Sequence, residues 1–372
     1  MGELRNINAA IHELKQRNEH AVLATVVKVH GSTYRRPGAR MLIRESGETV
    51  GLVSGGCLDS DLHEQAMAVL ASGKPSLITY DSTSPDDLLW GLGLGCPGKV
   101  HVLLEPTSHE SCSRMMEFLR RTTQARRRAV VATVIRSEPP KESLIGSRVL
   151  FADGSSETLG IEENEFLTDL RNDISRAFET GASEQKRYDI ADSAVEVFIE
   201  VVDPPLPLLI FGAGTDAIPL CRFAGELGWD VTVIDHRPAF LDAKRFSNAR
   251  CILLSDQDVM PDELVIHQDA VAVIMTHNFA RDLFYLKKLL PSNLRYLGLL
   301  GPTSKSTSLL EQLREEGFHS SVEQLAKLHT PAGLDIGAET PEEIALSIIA
   351  EIRAVLAGRS GGSLRDRNAP IH

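Results

Sequence analysis

Two loop cysteines carry the clearest chemical potential in the first hundred residues. Cys57 follows the pair Gly55 and Gly56 and opens an amphipathic helical pattern. A sulfur at a helix start faces backbone N–H groups and the positive end of the helix dipole, which favour a thiolate that acts as a nucleophile or binds a soft metal. Asp59 and Asp61 in the same first turn oppose this effect. The alternative is a buried cysteine that packs as a small apolar side chain.

The second candidate, Cys96, follows Gly95 in the stretch GLGLGCPG. Glycines at alternate positions form no stable helix and let an anion or a flat ligand approach the backbone, although a tight turn without a ligand has the same composition. The remaining cysteines, Cys112, Cys221 and Cys251, fall on helix or strand patterns, so we expect them in cores. Five scattered cysteines with no CxxC pair exclude a disulfide framework and a CxxC zinc site.

Two adjacent arginines add positive charge to the loop GSTYRRPG. Arg35 and Arg36 precede Pro37, which stiffens the segment. Guanidinium forks bind a phosphate or a pterin-type heterocycle through paired hydrogen bonds, whereas an exposed pair without a ligand is simply solvated. The sequence leaves both interpretations open.

A glycine turn follows the proline-rich stretch VVDPPLPL. The strand PLLIF runs into G-x-G-x-x-A at Gly212, Gly214 and Ala217, and Asp235 ends the next strand 23 residues after Gly212. This is the order of a dinucleotide-binding βαβ unit, in which backbone amides approach a diphosphate and the acid binds ribose hydroxyls. The pattern fits NAD(P) or another nucleotide, or a pterin phosphate, and a structural turn without ligand is the alternative.

Two later loops are candidate parts of the same site. Lys305 lies where a strand passes into a helix, so we expect its ammonium and the helix amides to form an anion site. His277 follows the strand AVAVIMT at the end where doubly wound sheets place ligand crevices, and capping of the strand without chemistry is the alternative.

Composition excludes several classes of protein. The chain has 372 residues, with 51 acidic against 39 basic side chains and a formal net charge of −12. That charge argues against binding to a nucleic acid backbone. No apolar run approaches the roughly 18 to 20 residues of a spanning helix, and no signal-peptide pattern opens the chain. We therefore expect a soluble cytoplasmic protein of two or three domains.

The first two hundred residues contain an internal duplication. AVLATVVK from Ala21 matches AVVATVIR from Ala129, and Tyr80 matches Tyr188, both at an offset of 108 residues. The strand that ends at Glu105 matches the strand that ends at Glu200 at an offset of 95. We call residues 20–105 the first repeat and residues 128–200 the second repeat.

The resulting fold class is α/β, with the duplicated α/β domain followed by a Rossmann-like doubly wound parallel sheet. The expected boundaries are residues 1–203 for the first domain, 204–208 for a linker, 209–358 for the Rossmann-like domain and 359–372 for a flexible tail.

Three segments occur in the first repeat alone: GSTYRRPG, SGGC and WGLGLGCPGK. Because both repeats keep one scaffold, structural need does not explain segments that only one of them has. We therefore expect the first repeat to hold the site and the second to act as support or as a dimer surface.

Several blocks resemble the XdhC/CoxI family of maturation factors for xanthine dehydrogenase and related molybdenum hydroxylases. They are GSTYRRPGARMLI, GLVSGGCLDSD, WGLGLGCPGKVHVLLEP, LLIFGAG, VIDHR, THN, YLGLLGP and PAGLDIGAETPEEIALSIIAEI, and they extend over nearly the whole chain. The resemblance implies a homodimeric chaperone that binds molybdopterin cofactor, assists its sulfuration by a cysteine desulfurase and delivers it to the apo form of a xanthine dehydrogenase-type molybdoenzyme. It implies an accessory factor rather than a catalyst.

Carried onto this sequence, the resemblance makes Cys57 and Cys96 the positions that handle sulfur or ligate the cofactor's molybdenum, and Arg35 and Arg36 match its YRRPG block. Two positions depart from the family pattern. Asp59 stands where glutamate is usual, and the loop before Lys305 lacks a serine–arginine pair, which weakens the expectation of phosphate binding there.

Two other functions remain open from the residues. One is an NAD(P)-dependent oxidoreductase, or a xanthine dehydrogenase subunit, that uses the Rossmann-like domain. The other is a scaffold in which both sites are vestigial.

Overall fold

Runs rich in Val, Ile and Leu form the strands of the protein, which a computed structural model describes over residues 2–31, 33–56, 58–81, 98–162, 165–190, 193–256 and 259–366. The chain divides into two compact units, Glu3–Pro204 and a second that begins at Pro205. Each unit is described by itself below.

The first repeat forms a five-stranded antiparallel sheet in the order β3-β2-β1-β5-β4. Its elements are α1 (Gly2–Arg17), which precedes the sheet, β1 (Ala21–Gly31), β2 (Arg40–Arg44), β3 (Thr49–Gly51), α2 (Asp59–Ser72), β4 (Ser76–Asp81) and β5 (Gly98–Pro106). The helix α3 (Glu110–Gln124) then leads to the second repeat.

The second repeat forms a sheet of the same order, β8-β7-β6-β10-β9. Its elements are β6 (Ala129–Glu138), β7 (Arg148–Ala152), β8 (Ser155–Leu159), α4 (Glu165–Thr180), β9 (Glu184–Ile190) and β10 (Ser193–Val202). The predicted duplication is therefore confirmed by topology, although the sequence pattern indicates only three strands and a helix for each repeat.

Both repeats have a β-bulge at the same position, which is further evidence that they are equivalent. The β1–β5 register shifts between Val26 and Lys28, which leaves Val27 unpaired, and the β6–β10 register skips Ile135 at the corresponding place, 108 residues later. A bulge redirects the side chains that follow it. Val27 and Ile135 both turn into one small apolar cluster with Leu103 and Phe198.

Apolar cores lie on both faces of each sheet. The helix α2 covers one face of the first sheet and α4 covers one face of the second. On the other faces the two sheets share a core with α1 and α3, to which Leu23 and Val131 contribute equivalent side chains from β1 and β6. This shared core makes the two repeats one folding unit.

Reciprocal ion pairs join the repeats inside this unit. Arg40 of the first repeat pairs with Glu200 of the second, and Arg148 of the second pairs with Glu105 of the first. All four side chains are buried. Burial acts to lower the pKa of Arg40, but the neighbouring Glu200 carboxylate outweighs it and raises that pKa above its ordinary value. The arginines are equivalent by the 108-residue offset and the glutamates by the 95-residue offset, so the contact is symmetric.

The second unit contains a parallel six-stranded sheet in the order β13-β12-β11-β14-β15-β16, which confirms the predicted doubly wound fold. Its strands are β11 (Pro207–Phe211), β12 (Asp230–Asp235), β13 (Cys251–Leu254), β14 (Val271–Ile274), β15 (Tyr296–Leu299) and β16 (Leu328–His329). Its helices are α5 (Ala217–Glu226), α6 (Phe279–Leu289), α7 (Thr303–Glu315), α8 (Val322–Ala326) and α9 (Pro341–Leu356).

Helices cover both faces of this sheet, with α5 and α9 on one and α6 and α7 on the other. The sequence Thr340-Pro341 followed by Glu342 and Glu343 has the pattern of a helix start, and the closing helix α9 begins there. Thr340 caps it, Pro341 occupies its first turn, and the Glu343 side chain accepts a hydrogen bond from the Thr340 amide.

The sequence predicts a linker over residues 204–208, and the two compact units divide between Pro204 and Pro205. The strand β11 begins at Pro207, and Leu208 is buried in the sheet. A proline at the first position of a strand removes no hydrogen bond that the strand needs there, so the proline-rich composition does not mark the end of the linker.

We expect that replacing Glu105 by glutamine destabilises the first unit by about 3–5 kcal/mol, because Arg148 then stays buried without a counter-charge. The matched control is Glu157→Gln, whose partner Arg114 is exposed, and it should cost about 0–1 kcal/mol. Both losses of unfolding free energy are measured from the urea dependence of hydrogen exchange at the backbone amides of β6 and β7. Equal protection in the two variants would contradict a structural role for the buried pair.

Candidate functional site

Two of the segments that distinguish the first repeat are in contact. The ring of Tyr34 lies against the backbone of Gly55, where an added Cβ would stand 3.6 Å from Cδ2 of the ring. Gly31, at the start of the GSTYRRPG loop, is paired in the sheet with Gly98, near the end of the WGLGLGCPGK segment. Tyr34 thus joins the first two segments, and Gly31 neighbours the described end of the third, whose residues 90–97 lie outside the described residues.

A buried serine fixes the loop ahead of Cys57. Ser54 is buried, its hydroxyl donates to Asp59 Oδ1 at 3.0 Å, and it accepts the Gly56 amide at 3.0 Å. Gly56 has a φ of +101°, which favours glycine, and no described residue lies within 4 Å of the place where a Cβ would project. Ser54 thus holds the backbone at Gly56 in place.

The acidic residues of the first turn of α2 have partners within the repeat. Asp59 accepts the Ser54 hydroxyl, and Asp61 accepts the Tyr80 hydroxyl at 2.6 Å. Burial raises the pKa of Tyr80, and the Asp61 carboxylate raises it further. These contacts hold both carboxylates beside the loop that leads into the helix.

The two arginines of YRRPG differ in their surroundings. Arg35 donates to both carboxylate oxygens of Glu3 in α1, at 2.7 and 3.0 Å. Arg36 is exposed, and no described residue accepts a hydrogen bond from its guanidinium. Arg35 therefore anchors the loop to α1, whereas Arg36 makes no such contact within the described residues.

Cys57, Gly95 and Cys96 lie outside the described residues, so their predicted roles stay predictions. The structure does place two of the three cysteines expected in cores. Cys112 and Cys221 are buried there, and burial raises the pKa of both thiols, that of Cys221 to about 11. Cys251, on β13, is only half-buried.

The glycine turn of the second unit is required by the close packing of the backbone around it. Gly212 has a φ of +119°, and a Cβ there would lie 2.5 Å from the carbonyl oxygen of Met275. The close approach of β11 to the end of β14 thus requires a glycine at this position, whether or not a ligand binds. At Gly214 a Cβ would lie 2.5 Å from Asp216 Oδ1.

A side-chain pair crosses the crevice between the ends of β11 and β14. His277 Nε2 lies 2.6 Å from Asp216 Oδ2, which joins the loop before α5 to the loop before α6. His277 has a φ of +55°, a conformation that non-glycine residues rarely adopt and that concentrates at functional sites. The sequence patterns indicate His277 but not Asp216. Asp216 could have been noticed as an acidic residue at the start of a helix, a place where a diphosphate-binding loop carries no negative charge.

The predicted ribose ligand Asp235 is engaged inside the unit. Its carboxylate accepts the Ala213 amide at 2.6 Å and the Arg237 amide at 2.9 Å, and it pairs with the Arg237 guanidinium at 2.8 Å. Burial acts to raise the pKa of Asp235, but these hydrogen bonds outweigh it and lower the pKa to about 2. Ribose binding by Asp235 stays a prediction, and it would require Arg237 to move.

Lys305 likewise turns inward. Its ammonium pairs with the fully buried carboxylate of Asp282 and donates to the Leu300 carbonyl at 3.0 Å. Asp282 also accepts the Thr276 hydroxyl at 2.6 Å. The structure thus gives Lys305 a structural partner, and its anion-binding role stays a prediction.

Neither a metal centre nor a spanning helix is found in the described residues. In that part of the chain no three or more His, Cys, Asp or Glu side chains are grouped so as to hold a metal ion. No helix there combines the length and the apolar character needed to cross a membrane.

Comparisons with known proteins agree on one family. The family model described as the XdhC and CoxI family matches residues 14–81, and the XdhC Rossmann domain model matches residues 208–352. The chain is 33% identical over 347 residues to a protein of Bacillus subtilis (strain 168) named as a probable subunit of xanthine dehydrogenase, covering 93% of this chain and 96% of that one.

Two further relatives extend the match. The chain is 24% identical over 335 residues to the molybdenum cofactor insertion chaperone PaoD of Escherichia coli (strain K12), covering 90% of this chain and 83% of that one. A crystal structure of a xanthine dehydrogenase from Bacillus halodurans matches with a TM-score of 0.77 and 28% identity, over 99% of this chain and 98% of that one. With these matches in both units and along nearly its whole length, the chain belongs to the XdhC and CoxI family.

Proposed function

We propose that this protein is a molybdenum cofactor chaperone, which binds molybdopterin cofactor, assists its sulfuration and inserts it into a xanthine dehydrogenase-type hydroxylase. The observation that carries the proposal is the contact of Tyr34 with Gly55, which joins two segments specific to the first repeat, together with the pairing of Gly31 with Gly98 at the described end of the third. Membership of the XdhC and CoxI family and similarity to an insertion chaperone support it.

The described residues fit such a cargo. Molybdopterin cofactor presents a phosphate, a flat pterin ring and a molybdenum centre. Arg36 offers for the phosphate a guanidinium fork that no described residue engages, and Tyr34 presents an aromatic ring that is 63% exposed. No described residue lies where a Cβ of Gly56 would project, which would let a ligand approach the backbone closely. The cofactor is a substrate that arrives and leaves, so the site needs reversible contacts and no catalytic turnover.

The cysteines supply the remaining chemistry. We propose that the thiolates of Cys57 and Cys96 ligate the molybdenum of the cargo, or carry sulfur as a persulfide during sulfuration. The partners are then the apo-hydroxylase, which receives the cofactor, and a cysteine desulfurase, which provides the sulfur. A homodimer would bring two such sites together. We place these exchanges in the cytoplasm, whose reducing conditions keep thiols free.

The geometry of the second unit does not favour the oxidoreductase alternative. The Asp216 carboxylate stands at the start of α5, where a dinucleotide diphosphate would lie, and it bonds to His277 in the loop before α6. Asp235 is engaged with Arg237. Like charges at close range repel, so the carboxylate opposes the ligand that the glycine turn suggests.

We expect Cys57→Ala to lower the amount of cofactor retained after purification by about tenfold, because it removes a soft metal ligand. Oxidised-pterin fluorescence and molybdenum analysis of protein from molybdate-fed cells measure this. The matched control is Cys251→Ala, which changes a half-buried thiol of the second unit. Equal retention by both variants would remove the cysteine-centred part of the proposal.

We expect Arg36→Ala to weaken molybdopterin binding by about 10- to 100-fold, the value of a charge-assisted hydrogen bond to phosphate. The affinity of Arg36→Lys for molybdopterin should lie between those of the wild type and Arg36→Ala, since lysine keeps the charge but lacks the guanidinium fork. Arg359→Ala changes an exposed arginine of the second unit and serves as control. Equilibrium binding monitored by pterin fluorescence tests the series, and an Arg36→Ala variant with wild-type affinity would contradict the assignment.

We expect NADH to give neither a thermal shift nor fluorescence quenching at concentrations up to about 1 mM, because of the Asp216–His277 bridge. Asp216→Asn serves as comparison, since it removes the negative charge and keeps the side-chain shape. Tight binding of NADH to the wild-type protein with hydride transfer would instead support the oxidoreductase.

A further inference from the structure

A cleft lies between the two repeats, lined by side chains of both. It has a volume of about 370 Å³, within the range of small-molecule sites. Four of its side chains come from the first repeat and eight from the second: Lys28, Leu77, Thr79 and His101, and Ile135, Arg136, Ser137, Pro140, Lys141, Glu142, Ile145 and Glu196.

The duplication explains its charged centre. Lys28 and Arg136 are equivalent by the 108-residue offset, and each directly follows the bulged residue of its strand. His101 and Glu196 are equivalent by the 95-residue offset, and they stand opposite Lys28 and Arg136 in their sheets. If the two repeats were identical here, a carboxylate would stand opposite each of the two cations. Glu196 is such a carboxylate, but His101 occupies the equivalent position in the first repeat.

The loss of that acid leaves the cleft with excess positive charge. Glu196 is paired with Lys28, and Glu142 is 3.4 Å from the Lys74 ammonium. The other cation at the centre, Arg136, pairs at 3.1 Å with Glu138, a carboxylate outside the lining.

That pairing neutralises Arg136 only in part, because Glu138 also accepts a hydrogen bond from Arg187 at 2.9 Å. The exposed Lys141 ammonium has no carboxylate partner among the described residues.

His101 is suited to receive an anion. Its Nδ1 lies 2.9 Å from the Thr79 hydroxyl. When that hydroxyl donates to Nδ1, the proton of the ring stands on Nε2 and is available to an acceptor. Burial lowers the pKa of His101, and the charges of Lys28 and Arg136 lower it further, so the ring is neutral at pH 7 and sits in a positive potential.

Apart from Ser137, the rest of the lining is apolar. Leu77, Ile135 and Ile145 join the small cluster around Val27 and Phe198. Apolar and cationic side chains in one cleft match a ligand that has an apolar body and an anionic group.

We propose that this cleft binds a small phosphorylated molecule with an apolar body, whose phosphate contacts His101, Arg136 and Lys141. None of the described residues of the proposed cofactor-binding loops lines the cleft.

Phenyl phosphate is the probe. Phenol, which lacks the phosphate, and inorganic phosphate, which lacks the ring, are the controls. The full-length protein is titrated while the His101 imidazole resonances are followed by NMR, assigned by their absence in His101→Gln. We expect phenyl phosphate to bind about tenfold tighter than either control and to raise the pKa of His101, since a bound dianion stabilises the imidazolium. Equal affinities for the three compounds would overturn the proposal.

Two variants locate the site. His101→Glu restores the acid of the equivalent position and should weaken binding by about tenfold or more, and the exposed Lys141→Ala should weaken it several-fold. Lys244→Ala, at an exposed lysine of the second unit, should leave it unchanged. Unaltered binding in Lys141→Ala and His101→Glu would place the anion elsewhere and overturn the proposal. Cofactor retention by these variants should match the wild type, which separates this proposal from the chaperone function.

Discussion

The reciprocal pairs Arg40–Glu200 and Arg148–Glu105 constrain the rest of the first unit. Each repeat buries an arginine whose counter-charge belongs to the other repeat, and an uncompensated buried charge costs several kcal/mol. One of these ion pairs also contacts a loop of the proposed cofactor site. A Cβ at Gly38, the last residue of the GSTYRRPG loop, would lie 2.8 Å from Glu200 Oε1, so a glutamate of the second repeat packs against the base of a loop of the first. Gly146 stands in the same relation to Glu105.

This symmetric frame explains how one repeat can diverge while the other keeps its shape. The shared core, the equivalent bulges at Val27 and Ile135 and the crossed ion pairs supply stability from both halves. Loops at the sheet ends contribute little to these contacts, so they are free to acquire ligand-binding residues. The YRRPG and SGGC segments represent one such change. The replacement of an acid by His101 represents another, at the centre of the cleft between the repeats.

In the second unit, the Rossmann-like sheet supplies a crevice whose polar groups bond mainly to one another. Asp235 bonds to Arg237, Lys305 pairs with Asp282, and Asp216 bonds to His277 across the switch point of the sheet. A glycine turn is needed here for the packing of β11 against β14, because Gly212 leaves no room for a side chain beside Met275. The turn alone therefore says little about the ligand, and the side chains around it decide what can enter.

Several features could be predicted from the residues without coordinates: the fold class, the duplication, the doubly wound sheet, the start of α9 and the burial of Cys112 and Cys221. Each rests on periodicity, on helix caps or on matching segments, which are readable along the chain. The same comparison of segments separated the loops found only in the first repeat, and so pointed to Arg35, Arg36, Gly55 and Gly56. Which charges are engaged emerged from the folded protein alone. Arg35 is held by Glu3, Lys305 by Asp282 and Asp235 by Arg237, whereas no described residue accepts a hydrogen bond from the Arg36 side chain. Most of these partners stand far apart in the chain, and a charge pattern gives no distance between side chains that only folding brings together.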